Sequence, residues 1–215
     1  TYVNKLVDKG YKIGIVEQME DPKSTKNLVK RDVIQIISPG ANLEIKDDDN
    51  NFIGAISEDE FNYILAYVDL TTGEQYVVNL KKDYRVVLAT ISNLEIKEIV
   101  VGTSFDANLI TYLKDNLHVV FSYNNDDETS IEMEALFKYL KDPRQMRCVA
   151  RLYNYLVDTQ KRSLDYFQPV INRLSTKILG LDHSSRTNLE LVKNLKGEGS
   201  YGTLYWLLNK TSTSM

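Results

Sequence analysis

The fold is decided by the stretch from Phe52 to Tyr123, which opens with three short apolar runs: Phe52-Ile-Gly-Ala-Ile56, Tyr63-Ile-Leu-Ala-Tyr-Val68 and Gln75-Tyr-Val-Val78. These runs are rich in β-branched and aromatic residues, a composition that favours strands. The second and third runs are separated by a polar turn in which Gly73 can adopt positive φ. The stretch therefore predicts three strands, with a hairpin between the second and the third.

The second half of the same stretch changes period. Apolar residues recur at helical spacing from Tyr84 to Leu94 and again from Leu109 to Leu113. Each helical pattern is followed by a short strand of the buried type, Ile99–Val101 and then Val119–Phe121. Antiparallel strands followed by two strand-helix-strand crossovers give a mixed sheet with helices on its faces. The predicted fold class is therefore mixed α/β.

The segment before the central stretch carries simpler signals. Gly10 ends a short helical pattern, and two apolar runs, Lys12–Val16 and Val33–Ile37, predict strands. Residues 44–51 are charged and poor in apolar side chains, which is typical of a linker. The acidic cluster Asp47–Asn51 lacks the glycine and the closing glutamate of a calcium-binding loop, so we expect no metal there.

The segment after the central stretch has a helical pattern. Residues 131–141 predict one helix, and Asp142 and Pro143 predict the N-cap and first position of the next. Asp182 and Ser200 are candidate caps of two later helices. The sequence therefore predicts that an all-α segment follows the mixed sheet.

Charge is distributed unevenly along the chain, although the total is only −4. Residues 1–41 carry seven Lys and Arg against five Asp and Glu, residues 42–143 carry eight against twenty, and residues 144–215 carry eleven against five. An acidic centre repels phosphate, so it is a poor site for nucleic acid. We expect the centre to meet a protein partner, whereas the flanks alone have a charge that suits a polyanion.

The cysteine and histidine residues limit the disulfides and metal sites that the chain can form. Cys148 is the only cysteine, which excludes an internal disulfide, fits a reducing cytoplasm and predicts a buried side chain. His118 and His183 have no second His or Cys at ligand spacing. No run approaches the roughly 18 apolar residues that span a membrane. We expect a cytoplasmic protein without a metal site, cut from a longer chain because Thr1 opens directly on an apolar pattern.

Three arginines, Arg144, Arg147 and Arg151, form a basic stripe on the helix that begins at Pro143. Such a stripe could meet DNA, the acidic centre or solvent. We expect contact within the chain rather than with DNA.

Several motifs resemble one family. Four of them lie in order within 40 residues: Tyr2-Val-x-Lys-Leu-Val-x-Lys-Gly10, Val16-Glu-Gln-Met-Glu-Asp-Pro22, Val29-Lys-Arg-Asp-Val-Ile34 and Ile36-Ile-Ser-Pro-Gly40. They are similar to the end of the mismatch-binding domain of the MutS family, the bacterial ATPases that recognise DNA mismatches. Two later stretches, Leu181–Leu191 and Gly199–Met215, resemble the start of the family's helical core.

The resemblance implies a division of the chain into four parts. Residues 1–43 would be the C-terminal part of the mismatch-binding domain, 44–51 a linker, 52–142 a connector domain with a ribonuclease-H-like fold, and 143–215 the start of the helical core or lever domain. Residues 44–51 and the Asp142-Pro143 junction would be the two movable joints of such a connector.

The resemblance also implies the site and the partners. Arg31, with Lys30 beside it, matches a basic position of the family that approaches the DNA backbone, and an arginine fork suits phosphate oxygens. The alternative is a solvated surface pair. No catalytic residue is implied here, since the mismatch-probing Phe-x-Glu element would precede Thr1 and the site for ATP and Mg²⁺ would follow Met215. The parent would bind mismatched double-stranded DNA as a homodimer, and the connector would dock a MutL-type matchmaker protein.

Two other functions remain as alternatives. A metal-dependent, ribonuclease-H-like nuclease would use carboxylates such as Asp69, Asp106 and Asp126 around divalent ions. A free-standing protein-interaction module would require residues 52–123 to fold and bind a partner alone. The sequence favours a relay and docking module without catalysis of its own.

Overall fold

A computed structural model describes residues 2–7, 9–20, 28–41, 52–161, 163–173, 185, 188–192, 194–195 and 199–210. Its elements, in chain order, are α1 (Tyr2–Val7), β1 (Ile13–Gln18), β2 (Arg31–Ile37), β3 (Phe52–Glu58), β4 (Asn62–Asp69), β5 (Gln75–Lys81), α2 (Tyr84–Asn93), β6 (Glu98–Val101), α3 (Ala107–Asn116), β7 (Val120–Tyr123), a 3-10 turn (Ile131–Met133), α4 (Pro143–Gln160), β8 (Ile171–Arg173) and α5 (Leu204–Leu208).

The central sheet has six strands in the order β7-β6-β3-β4-β5-β8, and β1 and β2 form a separate antiparallel hairpin. Strand β4 runs antiparallel to both of its neighbours, β3 and β5, while β6, β7 and β8 join in parallel. Parallel neighbours require a crossover, and α2 and α3 supply the crossovers to β6 and β7. The predicted mixed α/β class is confirmed.

The sheet is covered on both faces, so its central strands are buried along most of their length. One face packs against α2 and α3, in a cluster that includes Leu65, Ile91 and Leu109. The other face packs against α4, in a cluster that includes Ile64 and Leu156. Strands covered on two sides read as continuous apolar runs rather than alternating ones, as the sequence shows here.

Helix α4 begins where the sequence predicts. The side chain of Asp142 accepts a hydrogen bond from the backbone N–H of Arg144, and Pro143 occupies the first turn. The sequence assigned this helix to the segment after the connector, with a movable joint at Asp142-Pro143. In the structure α4 instead lies on the sheet, because Leu152 and Leu156 share a core with Ile53 and Val77. A junction packed in this way is not a hinge, so that proposed joint is wrong.

The expectation of an all-α segment from residue 143 is wrong at β8. After α4 the chain returns across the β4–β5 turn, where the N–H of Gln168 donates to the carbonyl of Gly73 at 2.9 Å. Gly73 has φ +76, and a Cβ there would stand 2.5 Å from the carbonyl oxygen of Tyr166, so glycine is required at this position. The returning chain then pairs beside β5, and the guanidinium of Arg173 lies 3.8 Å from the ring centre of Tyr76.

The helix predicted for residues 131–141 is also wrong. Only Ile131–Met133 forms a 3-10 turn, and the chain continues in turns. Its N–H groups mostly reach back three residues, as from Leu136 to Met133 and from Leu140 to Phe137. Such turns bring residues three apart to one side, so they bury Met133 and Leu140 with nearly the same apolar spacing as an α-helix.

The last described helix, α5, is capped by Thr203 rather than by the predicted Ser200. The Thr203 hydroxyl accepts from the N–H of Trp206, and the N–H of Thr203 donates to the carbonyl of Ser200. Asp182, His183 and the linker at 44–51 lie outside the described residues. Within the described part of the chain, no helix is both long and apolar enough to cross a membrane.

Candidate functional site

The predicted DNA-contacting residues lie at one end of the β1–β2 hairpin. Arg31 is the first residue of β2 and pairs with Gln18, the last residue of β1, while Ile13 pairs with Ile37 at the other end. Lys30 and Arg31 are both exposed. The N–H of Met19 donates to the carbonyl of Lys30 at 2.9 Å, which continues the hairpin one step beyond the strands. The hairpin therefore presents both basic side chains at its tip.

The described residues at this end of the hairpin do not form a basic patch. Glu17, Glu20 and Asp32 are acidic against the basic Lys30 and Arg31, and Glu17 lies directly opposite Asp32 in the hairpin. Carboxylates this close reduce the positive potential around Arg31. A phosphate contact at the tip would therefore depend on the hydrogen-bonding fork of Arg31 more than on general attraction.

The other end of the hairpin is joined to the sheet through Glu98, a fully buried glutamate at the start of β6. One of its oxygens, Oε2, accepts from the Ser38 hydroxyl and from the Gly40 N–H, the latter at 3.1 Å. The other oxygen, Oε1, accepts from the hydroxyls of Ser122 and Tyr155, the latter at 2.6 Å. We call this group, together with Lys12, the Glu98 junction.

Lys12 supplies the positive charge of the junction from the start of the hairpin. Its Nζ lies 3.6 Å from Oε1 of Glu98 and donates to Ser122 at 2.6 Å and to Tyr155 at 3.1 Å. Burial, and then the neighbouring Glu98 carboxylate, raise the pKa of Tyr155 above its ordinary value. Tyr155 therefore stays protonated and donates to the carboxylate. A buried carboxylate is tolerable only when it is paired and hydrogen-bonded, and here both conditions hold.

Close packing reinforces the junction. A Cβ on Gly40 would stand 2.5 Å from the Cβ of Glu98, so only glycine lets the chain after β2 approach β6 this closely. The side-chain amide of Gln160, the last residue of α4, also reaches the carbonyl of Ile36 at 3.5 Å. No local pattern marks the junction in the sequence, because Glu98 resembles any charged residue at the end of a strand and only the fold brings its partners together from four separate segments.

The arginine stripe on α4 stays within the chain, as the sequence predicted. Arg147 and Arg151 both bind Asp127, at 3.0 and 2.7 Å. Arg144 binds Asp59 and the helix cap Asp142, at 2.8 and 2.9 Å. These contacts join α4 to the acidic centre. Cys148, on the same helix, is buried as predicted, and burial raises the pKa of its thiol.

The carboxylates considered for a nuclease are not gathered in one place. Asp69 ends β4, opposite Phe52 at the start of β3, and accepts from the N–H and hydroxyl of Thr71. Asp106 follows β6 and caps α3, at the opposite end of the strands from Asp69. Asp126 lies in an exposed loop. Among the described residues, no group of three or more His, Cys, Asp or Glu could hold a metal ion.

Comparison with known families agrees with this arrangement. Residues 51–168, which include the whole sheet up to β7 together with α4, match the family model described as MutS domain II. Residues 1–46, which include the hairpin, match MutS domain I.

The chain belongs to the MutS family.

Known MutS proteins match along the whole of this chain. It is 38% identical over 218 residues to the DNA mismatch repair protein MutS of Oceanobacillus iheyensis. It is 39% identical over 220 residues to the proteins of the same name from Bacillus cereus and Bacillus thuringiensis. In each case all of this chain is covered, but it spans only about a quarter of the length of the MutS relative. The Glu98 junction thus joins a part of MutS domain I to MutS domain II.

Proposed function

We propose that this chain is the part of a mismatch-repair MutS protein that holds a DNA-contacting hairpin on a connector and relays movement between them. The Glu98 junction carries this proposal. It fixes the base of the hairpin to the sheet, while Lys30 and Arg31 stand at the far end. Five residue steps separate the two ends, which is about 17 Å at the rise of a strand.

The relay follows from this geometry. A hairpin fastened at its base turns with the sheet, so a small rotation of the connector displaces Arg31 along an arc. Coupling between distant sites needs an element of this kind, whose position both sites can bias. The relay itself requires no catalysis, and we propose that the chain has none.

The topology supports a ribonuclease-H-like connector. Three strands in a meander, β3 to β5, precede two parallel strands that add on the other side of β3. The carboxylates are used for turns and caps instead of a metal site, and a fold does not by itself confer an activity. No observation on the described residues favours the nuclease alternative.

A partner-docking surface is the second part of the proposal. Residues 42–143 carry the acidic excess of the chain, and within this region Ile131 and Tyr139 are 84% and 61% exposed. Exposed apolar side chains in an acidic region suit a protein partner better than a polyanion. For the parent we propose a MutL-type matchmaker as that partner, mismatched double-stranded DNA as the ligand, ATP and Mg²⁺ bound outside this chain, a homodimer and a cytoplasmic location.

A free-standing module made of residues 52–123 has less support. Within the described structure, one face of its sheet is covered by α4 and the turns that precede it. Without them Ile53, Ile64 and Val77 would be exposed to solvent, and a sheet with one uncovered apolar face is prone to aggregate.

The test of the relay is made in the full-length protein. Gly40→Ala disturbs the junction, whereas Gly14→Ala makes the same change inside β1, where the added Cβ would meet only Val33 at 3.8 Å. We expect Gly40→Ala to keep ATP hydrolysis in the absence of DNA and to lose its response to mismatched DNA. Gly14→Ala should retain both. Equal responses in the two variants would contradict the proposal.

A further inference from the structure

A second feature of the fold is a crevice of about 230 Å³ at the carboxyl ends of β3 and β6. The chain diverges here: β3 leads to β4 on one side, while β6 leads through α3 to β7 on the other. In open α/β sheets, ligands bind in the crevice that such a divergence leaves. The basic face of α4 forms one wall, and Ser57 and Ser104 belong to the lining.

On one side of the crevice the carboxylates outnumber the cations that they pair with. Arg144 binds two carboxylates, Asp59 and Asp142. Glu58 lies 3.6 Å from Nζ of Lys82. These groups are therefore satisfied within the chain and form a fixed rim.

On the other side of the crevice the cations outnumber the carboxylate that they pair with. Arg147 and Arg151 share a single carboxylate, that of Asp127, so positive charge is concentrated at this point, although the charged residues of the lining sum to zero. Arg151 is only 13% exposed, and its Nε is buried without a hydrogen-bond partner among the described residues. A buried donor without an acceptor is unfavourable, so a small turn of this guanidinium towards an acceptor in the crevice would be favourable.

We propose that this crevice binds a small tetrahedral oxyanion, a phosphate group, beside Asp127 on Arg147 and Arg151. Guanidinium groups bind phosphate oxygens through paired, charge-assisted hydrogen bonds, and the hydroxyls of Ser57 and Ser104 add donors to the lining. The volume equals that of about eight waters and is smaller than the roughly 300 Å³ at which sites for drug-sized ligands begin. The crevice therefore suits a phosphate group and not a whole nucleotide.

Asp127 makes the proposal testable, because it competes with the anion that the crevice would bind. Its carboxylate occupies both arginines and repels a second negative charge. Asp127→Asn keeps the shape of the side chain and removes the charge. Phosphate should therefore bind this variant more tightly, by at least about fivefold, which is the effect of two unit charges about 4 Å apart even at the dielectric constant of water.

The experiment is calorimetric titration of the 215-residue chain with inorganic phosphate at constant ionic strength. Besides Asp127→Asn, we expect Arg151→Met to weaken binding at least about tenfold, since a hydrogen bond to a charged group is lost. Arg85→Met makes the same charge change on α2, where Arg85 is 83% exposed and pairs with Asp83. This control should leave the phosphate affinity within about twofold.

The outcomes separate the possibilities. Since Arg151→Met could unfold the chain, its thermal melt is recorded by circular dichroism, and the gain expected in Asp127→Asn decides the test if the melt is lost. No saturable phosphate binding, an unchanged affinity in Asp127→Asn, or equal weakening by Arg85→Met would overturn the proposal. A parallel titration with a nucleoside 5′-monophosphate identifies the source: binding of phosphate alone supports a free oxyanion, and binding of both supports a terminal phosphate.

Discussion

Replacing Gly40 by alanine should release the hairpin from the sheet without unfolding the sheet. The added Cβ would stand 2.5 Å from the Cβ and 3.2 Å from Oε2 of Glu98. Glu98 is fully buried and held by hydroxyls from β7 and α4, so it cannot swing aside. The chain that follows β2 must therefore retreat from β6.

The size of the effect follows from two losses. Overpacking a close contact costs about 1–3 kcal/mol. Retreat also lengthens the hydrogen bond from the Gly40 N–H to the Glu98 carboxylate, now 3.1 Å, and a bond to a charged group contributes about 1.5–3 kcal/mol. Because the chain can adjust in part, we expect a total of about 2 kcal/mol, which corresponds to about thirtyfold more frequent opening.

Amide hydrogen exchange measures this opening one element at a time. In Gly40→Ala, the amides of β1 and β2 should exchange about thirtyfold faster, while those of β4, in the middle of the sheet, keep their rates. Gly14→Ala should leave the hairpin unchanged or slower, since a glycine within a strand is destabilising. Unchanged exchange in the hairpin of Gly40→Ala would refute the reasoning, as would equal acceleration in β4.

Three further predictions concern other parts of the chain. Arg31→Ala in the full-length protein should weaken DNA binding and lower its salt dependence by about one phosphate contact, measured by titration at several salt concentrations; an unchanged affinity would remove Arg31 from the interface. The pKa of Tyr155 is raised in the folded state, whereas in the unfolded chain this tyrosine loses its proton near its ordinary pKa of about 10. Its contribution to stability is therefore complete below about pH 10 and decreases above it. Urea unfolding should therefore show Tyr155→Phe clearly less stable than the unchanged chain at pH 8 but by a smaller margin at about pH 10.5, and a constant margin would contradict this. Asp142→Ala should cost about 1 kcal/mol of unfolding free energy through loss of the α4 cap, whereas Asp158→Ala, exposed on the same helix, should change it by less than about 0.5 kcal/mol; equal effects would show that the cap is unimportant.

Much of the sheet could be predicted because its signals are local. The runs at Phe52 and Tyr63 are apolar on both faces, and the turn between β4 and β5 contains the glycine that its backbone needs. The start of α4 was equally clear, since Asp142 and Pro143 are a cap and a first-turn residue. In these places the local preferences of the chain agree with the final packing.

Other parts depend on contacts that no local pattern carries. Strand β8 is three residues long and mostly exposed, and it is held in place by distant partners such as Gly73 and Tyr76. The turns after Ile131 reproduce the apolar spacing of a helix, so periodicity could not distinguish the two.

The candidate site was predicted only in part. The resemblance to MutS proteins indicated Arg31, which the structure places at the exposed tip of the hairpin. It did not indicate Glu98, whose partners lie as far away in sequence as Lys12 and Tyr155. A buried charge of this kind is recognised only after the fold has brought its partners together.

The central claim, that the hairpin and the sheet move as one body, is tested most directly by a distance measurement between them. Asp32, near the hairpin tip, and Asp115, on α3, are both exposed, so each can be replaced by a cysteine that carries a spin label. The native Cys148 is buried and should not react with the label. Double electron–electron resonance on the labelled chain should give one narrow distance distribution that broadens when Gly40→Ala is added. A broad or two-peaked distribution in the chain with Gly40 intact would contradict the claim.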